Sequence, residues 1–296
     1  MPILETFTAS GFSVEAREGF GVAMDIGTTN IVLALVDLLK GTIIARHSFI
    51  NPQKPFGPDV ISRIDAANNG RLDELSGLIK ESLGDGIKGI IKSGGVSNDE
   101  VKGITIAGNT AMIYLLLGLS CESLGAYPFK PEFKTAGVYD SGYVFKAAGL
   151  NCDVRVLPWL AAFIGGDITA GLILTRAMGK DRFLLIDLGT NGEMALYNRG
   201  ELSVASAAAG PAFESDQNRG ASDVISCLAG LIRDGIMDGT GLLSGESLLT
   251  QKQIRALQLA KSAIRSGLEI LIKSSGLEPS DLEAVYLAGG IGQATD

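Results

Sequence analysis

The amino-acid sequence predicts a duplicated α/β fold with two lobes. The segment DIGTTN, which starts at Asp25, and the segment DLGTN, which starts at Asp187, each lie between two apolar strands. Aligning Asp25 with Asp187 also aligns the flanking strands, which indicates a repeated supersecondary unit. Strand and helix patterns alternate between the two copies, as is typical of α/β domains. Glycine accounts for 39 of the 296 residues, nearly twice the usual ~7%, which predicts many tight turns.

The first copy is predicted to begin with three strands in a meander. Residues 21–36 hold two apolar strands around the glycine turn, as in a β-hairpin, and residues 41–49 supply the third strand. A further strand is expected in the segment VKGITIAG, at 101–108. The apolar patterns between and after these strands predict three helices, at 58–68, 72–83 and 109–119.

The pattern returns in the second half of the chain. Residues 183–204 predict three more strands joined by short turns, and a helix is expected after the sequence GGD that ends at Asp167. Apolar residues at steps of three and four predict an amphipathic helix over 251–273. A strand that runs into a glycine turn, AVYLAGGIGQ, lies near the last residue.

This organisation predicts three segments. Residues 1–19 are interpreted as a linker or leader, and residues 20–160 as the first lobe. Residues 161–296 are predicted to contain the connecting helix and a second lobe that is shortened at its C-terminus.

Composition argues against several classes of function. The net charge of −8 disfavours nucleic-acid binding, which depends on clustered Lys and Arg. Cys121, Cys152 and Cys227 are far apart and too few for an iron–sulfur cluster; they are expected to be reduced thiols of a cytoplasmic protein. The single His47 cannot form a metal site alone. The longest uncharged run, 103–121, contains the polar sequence GNT and predicts strand, turn and helix rather than a membrane span.

The first glycine turn has the residues of a phosphate site. Gly27 permits close approach of the backbone, and the N–H groups of the turn at Thr28, Thr29 and Asn30 can donate to phosphate oxygens. Asp25 at the end of the strand can hold Mg²⁺ through water. A single Asp-x-Gly-Thr sequence is also compatible with an ordinary hairpin turn.

A second copy strengthens the functional interpretation. Asp187, Gly189, Thr190 and Asn191 are expected to face the first turn across an interdomain cleft. The phosphates of a nucleotide and one metal ion are then held from both sides. The last glycine turn either lets the backbone lie flat against adenine or ribose or is a plain tight turn, and its glycines are Gly289, Gly290 and Gly292.

The order DIGTTN, GGD, DLGTNGE and LAGGIG resembles the nucleotide site of the actin, sugar-kinase and heat-shock ATPase superfamily. More narrowly, NPQKPFGPDVISRI, AGNTAMIYLLLG, LPWLAAFIGGD and SAAAGPAFE are similar to the ATPase portion of the reductive activators of corrinoid proteins. The resemblance implies a duplicated actin-like (ribonuclease H-like) ATPase fold, with two lobes around a nucleotide cleft.

The resemblance also implies an activity. ATP binding and hydrolysis with Mg²⁺ would drive reduction of the cob(II)amide cofactor of a partner corrinoid protein. Asp25 and Asp187 would position the metal and the attacking water. Asp167 would be a third carboxylate that orients water or metal, or else a helix N-cap.

The same resemblance bears on electron supply and partners. Family members carry an N-terminal [2Fe–2S] domain, and no four-cysteine set is present in this chain. We therefore expect no iron–sulfur cluster here and an electron supplied by a ferredoxin-like [2Fe–2S] domain in cis or in trans. The oligomeric state is left open, with a homodimer as one alternative.

Some features depart from the family or leave alternatives. The region after GPAFE is shorter than in the family, and the C-terminal helix expected after LAGGIG is missing. The alternatives in function are a small-molecule kinase of the same superfamily and a non-hydrolysing nucleotide-binding scaffold. Arg63 is expected either in a salt bridge on a buried helix or on a surface that meets the corrinoid protein. Glu193 is expected to be a solvated strand-end charge rather than a site residue, and Glu214 either bonds a turn or approaches ribose.

Overall fold

The computed structural model describes residues 17–133, 137–145, 149–189, 191–208 and 221–289. These residues form a mixed α/β structure with two sheets, which confirms the predicted class. The chain divides between Ala170 and Gly171 into two compact units. We call the described residues up to Ala170 the first unit and those from Gly171 onward the second unit.

The first unit contains a six-stranded sheet in the order β3-β2-β1-β4-β6-β5. The first three strands form the predicted antiparallel meander, and β4 runs parallel to β1. The short strands β5 and β6, of four residues each, leave too little sequence for a periodic pattern and were not predicted. The strands are β1 (Phe20–Ile26), β2 (Asn30–Asp37), β3 (Thr42–Ile50), β4 (Val101–Gly108), β5 (Gly137–Asp140) and β6 (Asp153–Val156).

The described helices that lie wholly within the first unit are α1 (Val60–Ala66), α2 (Leu72–Gly94), α3 (Thr110–Leu117), α4 (Glu122–Gly125) and α5 (Ser141–Val144). Helix α2 continues past its predicted end at residue 83, although the sequence there is rich in glycine. A Cβ atom on Gly86 would lie 2.8 Å from Cε1 of Phe49. Glycine therefore lets α2 pack closely against β3, and this packing outweighs the low helix propensity of the residue.

Alternation along the strands separates the core from the proposed site. One face of β1 and β2 is buried against α2, while Asp25 on β1 points to the opposite face and is exposed. The buried residues of this layer include Val22, Met24, Ile26, Ile31, Leu33, Leu35, Leu75, Ile79, Leu83 and Ile87.

The second unit contains a four-stranded sheet in the order β10-β7-β8-β9. Strands β7, β8 and β9 form an antiparallel meander, and β10 is parallel to β7. The elements are α6 (Gly166–Ala177), which starts in the first unit, β7 (Arg182–Leu188), β8 (Gly192–Asn198), β9 (Glu201–Ala207), α7 (Ala221–Arg233), α8 (Gln251–Ser274) and β10 (Ala284–Ala288).

The repeat predicted from the turns extends to whole strands. Asp25 is the sixth residue of β1, and Asp187 is the sixth residue of β7. In the parallel pairs, Asp25 lies opposite Ala107 and Asp187 lies opposite Ala288. Each alanine is followed by a glycine. Among the described helices, none has the length and apolar character needed to cross a bilayer.

Candidate functional site

The turn between β1 and β2 is held from inside the protein through three consecutive carbonyl groups. The side-chain Nδ2 of Asn51 donates to the carbonyl of Gly27 at 2.9 Å, and Nη2 of Arg63 donates to that of Thr28 at 2.6 Å. The backbone N–H of Asn51 donates to the carbonyl of Thr29 at 2.9 Å. Asn51 and Arg63 are both fully buried, so these hydrogen bonds fix the turn.

The direction of the carbonyl groups sets the direction of the N–H groups. In a trans peptide the C=O and N–H bonds point in opposite directions. The N–H groups of Thr28 and Thr29 therefore point away from Asn51 and Arg63. Consecutive N–H groups with a common direction form a concave anion-binding site in many proteins. The held carbonyls therefore leave the N–H groups of Thr28 and Thr29 directed away from the buried side chains.

Arg63 bonds the turn through contacts that the sequence analysis did not predict. Its Nε donates to the carbonyl of Gly57 at 3.0 Å, and its Nη1 lies 3.3 Å from Sδ of Met112. The expected salt bridge is wrong for the described part of the chain, where Arg63 forms no ion pair. Burial lowers the pKa of Arg63 to about 10, with an opposing effect of Asp59. The guanidinium is still charged at neutral pH.

A sequence signal for Arg63 did exist. Asp59 and Ser62 form a capping box, which fixes the start of α1. The helix then places Arg63 on the same face as Val60 and Ile64, which are both buried. An arginine on the apolar face of a capped helix indicates a buried guanidinium with specific acceptors.

The carboxylates of Asp167 and Asp25 interact electrostatically. Asp167 lies in the first turn of α6, where its Oδ1 accepts from the N–H of Ile168 at 2.8 Å. Burial and, to a smaller extent, the negative charge of Asp25 together raise the pKa of Asp167 to about 6. Asp167 is the second residue of α6, so the alternative that it is the N-cap of the helix is wrong; its carboxylate also interacts with Asp25.

Close packing of the backbone fixes the position of Asp167 at the start of α6. A Cβ atom on Gly165 would collide with the carbonyl oxygen of Gly108 and would lie 2.6 Å from Cα of Asn109. The side-chain Nδ2 of Asn109 donates to the carbonyl of Phe163 at 3.2 Å. The glycine before α6 and the asparagine after β4 therefore attach the start of α6 to the end of β4.

The second turn brings Asp187 against Gly289. A Cβ atom on Gly289 would collide with Oδ1 of Asp187, and the φ of Gly289 is +79°, which only glycine adopts readily. The turn itself is closed by the N–H of Gly189, which donates to the carbonyl of Asn191 at 3.0 Å. The predicted site residues Thr190, Gly290 and Gly292 lie outside the described residues, as does Glu214.

The solvated position expected for Glu193 is wrong. Glu193 is only 6% exposed and lies directly opposite Asp187 in the β7–β8 pair. Next to it, a Cβ atom on Gly192 would lie 2.7 Å from Cγ1 of Ile264 on α8. Close packing of α8 on β8 accounts for the burial at this end of the strand.

The donor chemistry fits Mg²⁺. Carboxylate oxygens are the protein ligands that Mg²⁺ prefers, and a cation would offset the negative charge of Asp25, which adds to burial in raising the pKa of Asp167. The described residues contain no group of three or more His, Cys, Asp or Glu side chains arranged around a metal position. The three cysteines are free thiols, and burial raises the pKa of Cys121 to about 12.

Comparison with known families identifies the chain. The RACo middle region matches residues 20–180. The C-terminal domain of RACo, the ASKHA domain, matches residues 181–223 and 243–296. The chain belongs to the RACo family. This confirms the predicted resemblance to the reductive activators of corrinoid proteins.

Relatives of this RACo-family chain include two curated proteins. The corrinoid activation enzyme RamQ of Eubacterium limosum is 30% identical, over 94% of this chain and 58% of RamQ. The [Co(II) methylated amine-specific corrinoid protein] reductase of Methanosarcina barkeri is 24% identical, over 94% of this chain and 64% of the reductase. The chain thus spans roughly three fifths of the length of these relatives.

A solved structure confirms the fold of the RACo-family chain. The reductive activator for corrinoid, iron–sulfur protein superposes with a TM-score of 0.83 and 27% identity, over 94% of this chain and 55% of that protein. Together with the match to the ASKHA domain, this confirms the actin-like fold.

Proposed function

We propose that this chain binds ATP with Mg²⁺ and hydrolyses it. The observation that supports the proposal best is the turn at Gly27–Thr29, whose carbonyl groups are all held from inside the protein. The N–H groups of Thr28 and Thr29 would donate to phosphate oxygens. Asp25, and Asp187 at the matching position of the second unit, would hold Mg²⁺, which neutralises charge on the transferred phosphoryl group when it is bound.

The remaining predicted residues have supporting roles in this proposal. Asn30, Gly189, Thr190 and Asn191 complete the two phosphate turns. Asp167 would orient the attacking water and, with a raised pKa, accept its proton. Gly289 would lie beside the nucleotide together with Gly290 and Gly292.

We further propose that hydrolysis drives the reductive activation of a corrinoid protein in the Co(II) state. The names of the two curated relatives describe corrinoid activation and the reduction of a Co(II) corrinoid protein. The cobalt would gain one electron, which a ferredoxin-like [2Fe–2S] domain in cis or in trans would lose. ATP can drive this step only if nucleotide binding changes the relative stability of two conformations that differ in affinity for the corrinoid protein.

Phosphate release tests the proposal. The purified chain is incubated with Mg-ATP, with and without a Co(II) corrinoid protein, and with a [2Fe–2S] ferredoxin in a third series. We expect release in all three series and reduction of cobalt only in the third. Formation of ADP that requires an added small hydroxylated acceptor, with the phosphoryl group on the acceptor and no phosphate released, would instead indicate a kinase. Binding of ATP without release in any series would indicate a nucleotide-binding scaffold.

A further inference from the structure

We propose that Arg63 is a positioning residue for the Gly27–Thr29 turn and supplies the buried positive charge that balances phosphate on the opposite side of that turn. The inference rests on the proposed function, because it takes the turn as the phosphate site. It assigns a role to the segment GPDVISRI, which has no role in the nucleotide site predicted from the sequence.

The hydrogen bonds of Arg63 with described residues all go to neutral acceptors. The side chain has no solvent exposure, and its three donor nitrogens face the carbonyls of Gly57 and Thr28 and the sulfur of Met112. The 2.6 Å bond to Thr28 is shorter than the 3.0 Å bond to Gly57. The strongest contact of the guanidinium is therefore with the turn.

Within the part of the chain that the structure describes, no carboxylate forms an ion pair with Arg63. Asp59 raises the pKa of Arg63 from a distance, but its Oδ1 accepts from the N–H and Oγ of Ser62 at 2.8 and 2.9 Å. Burial of a charge without an ion pair costs free energy. A neutral amide could satisfy the same carbonyls at lower cost, so the charge itself calls for an explanation.

An anion on the other face of the turn provides that explanation. Arg63 donates to the carbonyl of Thr28, and the N–H of the same peptide group belongs to Thr29. A hydrogen bond from a cation to the carbonyl polarises the peptide and strengthens its N–H as a donor. The positive charge also acts on the anion through the low dielectric of the protein interior. The contribution of each effect to the free energy of binding grows with the number of phosphate charges on the ligand.

Binding of a ligand series tests the proposal. Affinities for ATP, ADP, AMP, adenosine and tripolyphosphate are measured by calorimetry on the wild-type chain and on Arg63→Gln. We expect the loss of affinity to increase with phosphate number, to roughly tenfold for ATP, with adenosine unchanged. Arg71→Gln is the matched control, because Arg71 is half-exposed and pairs with Glu74; its affinities are expected to equal those of the wild type.

Three outcomes would overturn the proposal. The first is an unchanged ATP affinity in Arg63→Gln, and the second is an equal loss of affinity for adenosine and ATP, which indicates a structural role only. The third is a wild-type chain that binds neither ATP nor tripolyphosphate. The last outcome also overturns the proposed function, whereas the first two do not. If Arg63→Gln does not fold, Arg63→Lys decides the question. Lysine keeps the charge but not the planar fork, so we expect ATP to bind a few-fold more weakly and adenosine to bind as before. Unchanged ATP affinity in Arg63→Lys would then contradict the positioning role.

Discussion

The two units repeat the same strand order but hold their glycine turns by different means. In the first unit, buried polar side chains of Asn51 and Arg63 bond the carbonyls of the turn. In the second unit, the N–H of Gly189 donates to the carbonyl of Asn191, Gly192 packs against the apolar Ile264, and Gly289 lies against Asp187. A duplicated fold thus conserves the position of the aspartate while its support differs. If the turns bind phosphate as we propose, the buried charge of Arg63 predicts that the first turn contributes more to the binding of negative charge than the second.

The largest expected effect comes from the two aspartates that the repeat aligns. Asp25→Asn and Asp187→Asn should each lower ATP hydrolysis by about 100-fold or more, because a metal-positioning carboxylate contributes several kcal/mol to the transition state. Both variants should unfold at denaturant concentrations close to the wild type. Steady-state phosphate release measures the effect. If one variant keeps the wild-type rate, the two turns are equivalent in structure but not in function.

A glycine substitution sharpens the comparison in the second unit. Gly289→Ala should lower hydrolysis by about tenfold, since a methyl group there displaces the carboxylate of Asp187. Gly276→Ala is the control: its φ of +65° carries similar backbone strain, but a Cβ atom there contacts nothing within 4 Å. Gly276→Ala should be less stable to unfolding than the wild type but should hydrolyse ATP at the wild-type rate. Equal rates for the two variants would show that the contact between Gly289 and Asp187 has no role in hydrolysis.

The smallest expected effect concerns Asp167, the carboxylate that interacts with Asp25 in the first unit. Its pKa is raised from 3.8 to about 6 in the folded chain, so the folded state binds more protons than the unfolded state between these values. Stability should therefore fall as pH rises from about 4 to 6. Asp167→Asn removes this pH-dependent loss. Its free energy of unfolding should exceed that of the wild type by about 1–2 kcal/mol at pH 7.5 and by little at pH 4.

Urea unfolding of Asp167→Asn without Mg²⁺ across this pH range measures the difference. Asp85→Asn, which alters a carboxylate that is 73% exposed, is the control and should follow the wild type. A gain in stability of Asp167→Asn that is the same at pH 4 and pH 7.5 would contradict the raised pKa.

The sequence predicted most of what depends on local pattern. The two meanders, β4, the repeat centred on Asp25 and Asp187, and the long helix α8 all follow from periodicity and turn residues. The extension of α2 was missed because Gly84 and Gly86 suggest a helix end. Only the close contact of Gly86 with Phe49, a tertiary effect, explains why the helix continues.

The site was predicted less completely than the fold. The turn residues and Asp167 were predicted as site residues because their residue types suggest phosphate and metal chemistry, and they remain predictions. Arg63 and Asn51 were not, since their role depends on which carbonyls they meet across 35 and 24 residues of sequence. The burial of Glu193 likewise results from packing of α8, which no local pattern around Glu193 reveals.

The most direct test of the account is hydrogen exchange of the backbone N–H groups with and without Mg-ATP. The account predicts slower exchange on addition of Mg-ATP in the peptides that cover 25–31 and 187–193. Exchange should be unchanged at the β8–β9 turn around Arg199 and Gly200, which serves as an internal control. Bound Mg-ATP that leaves exchange at both glycine turns unaltered would contradict the claim that their N–H groups hold the phosphates.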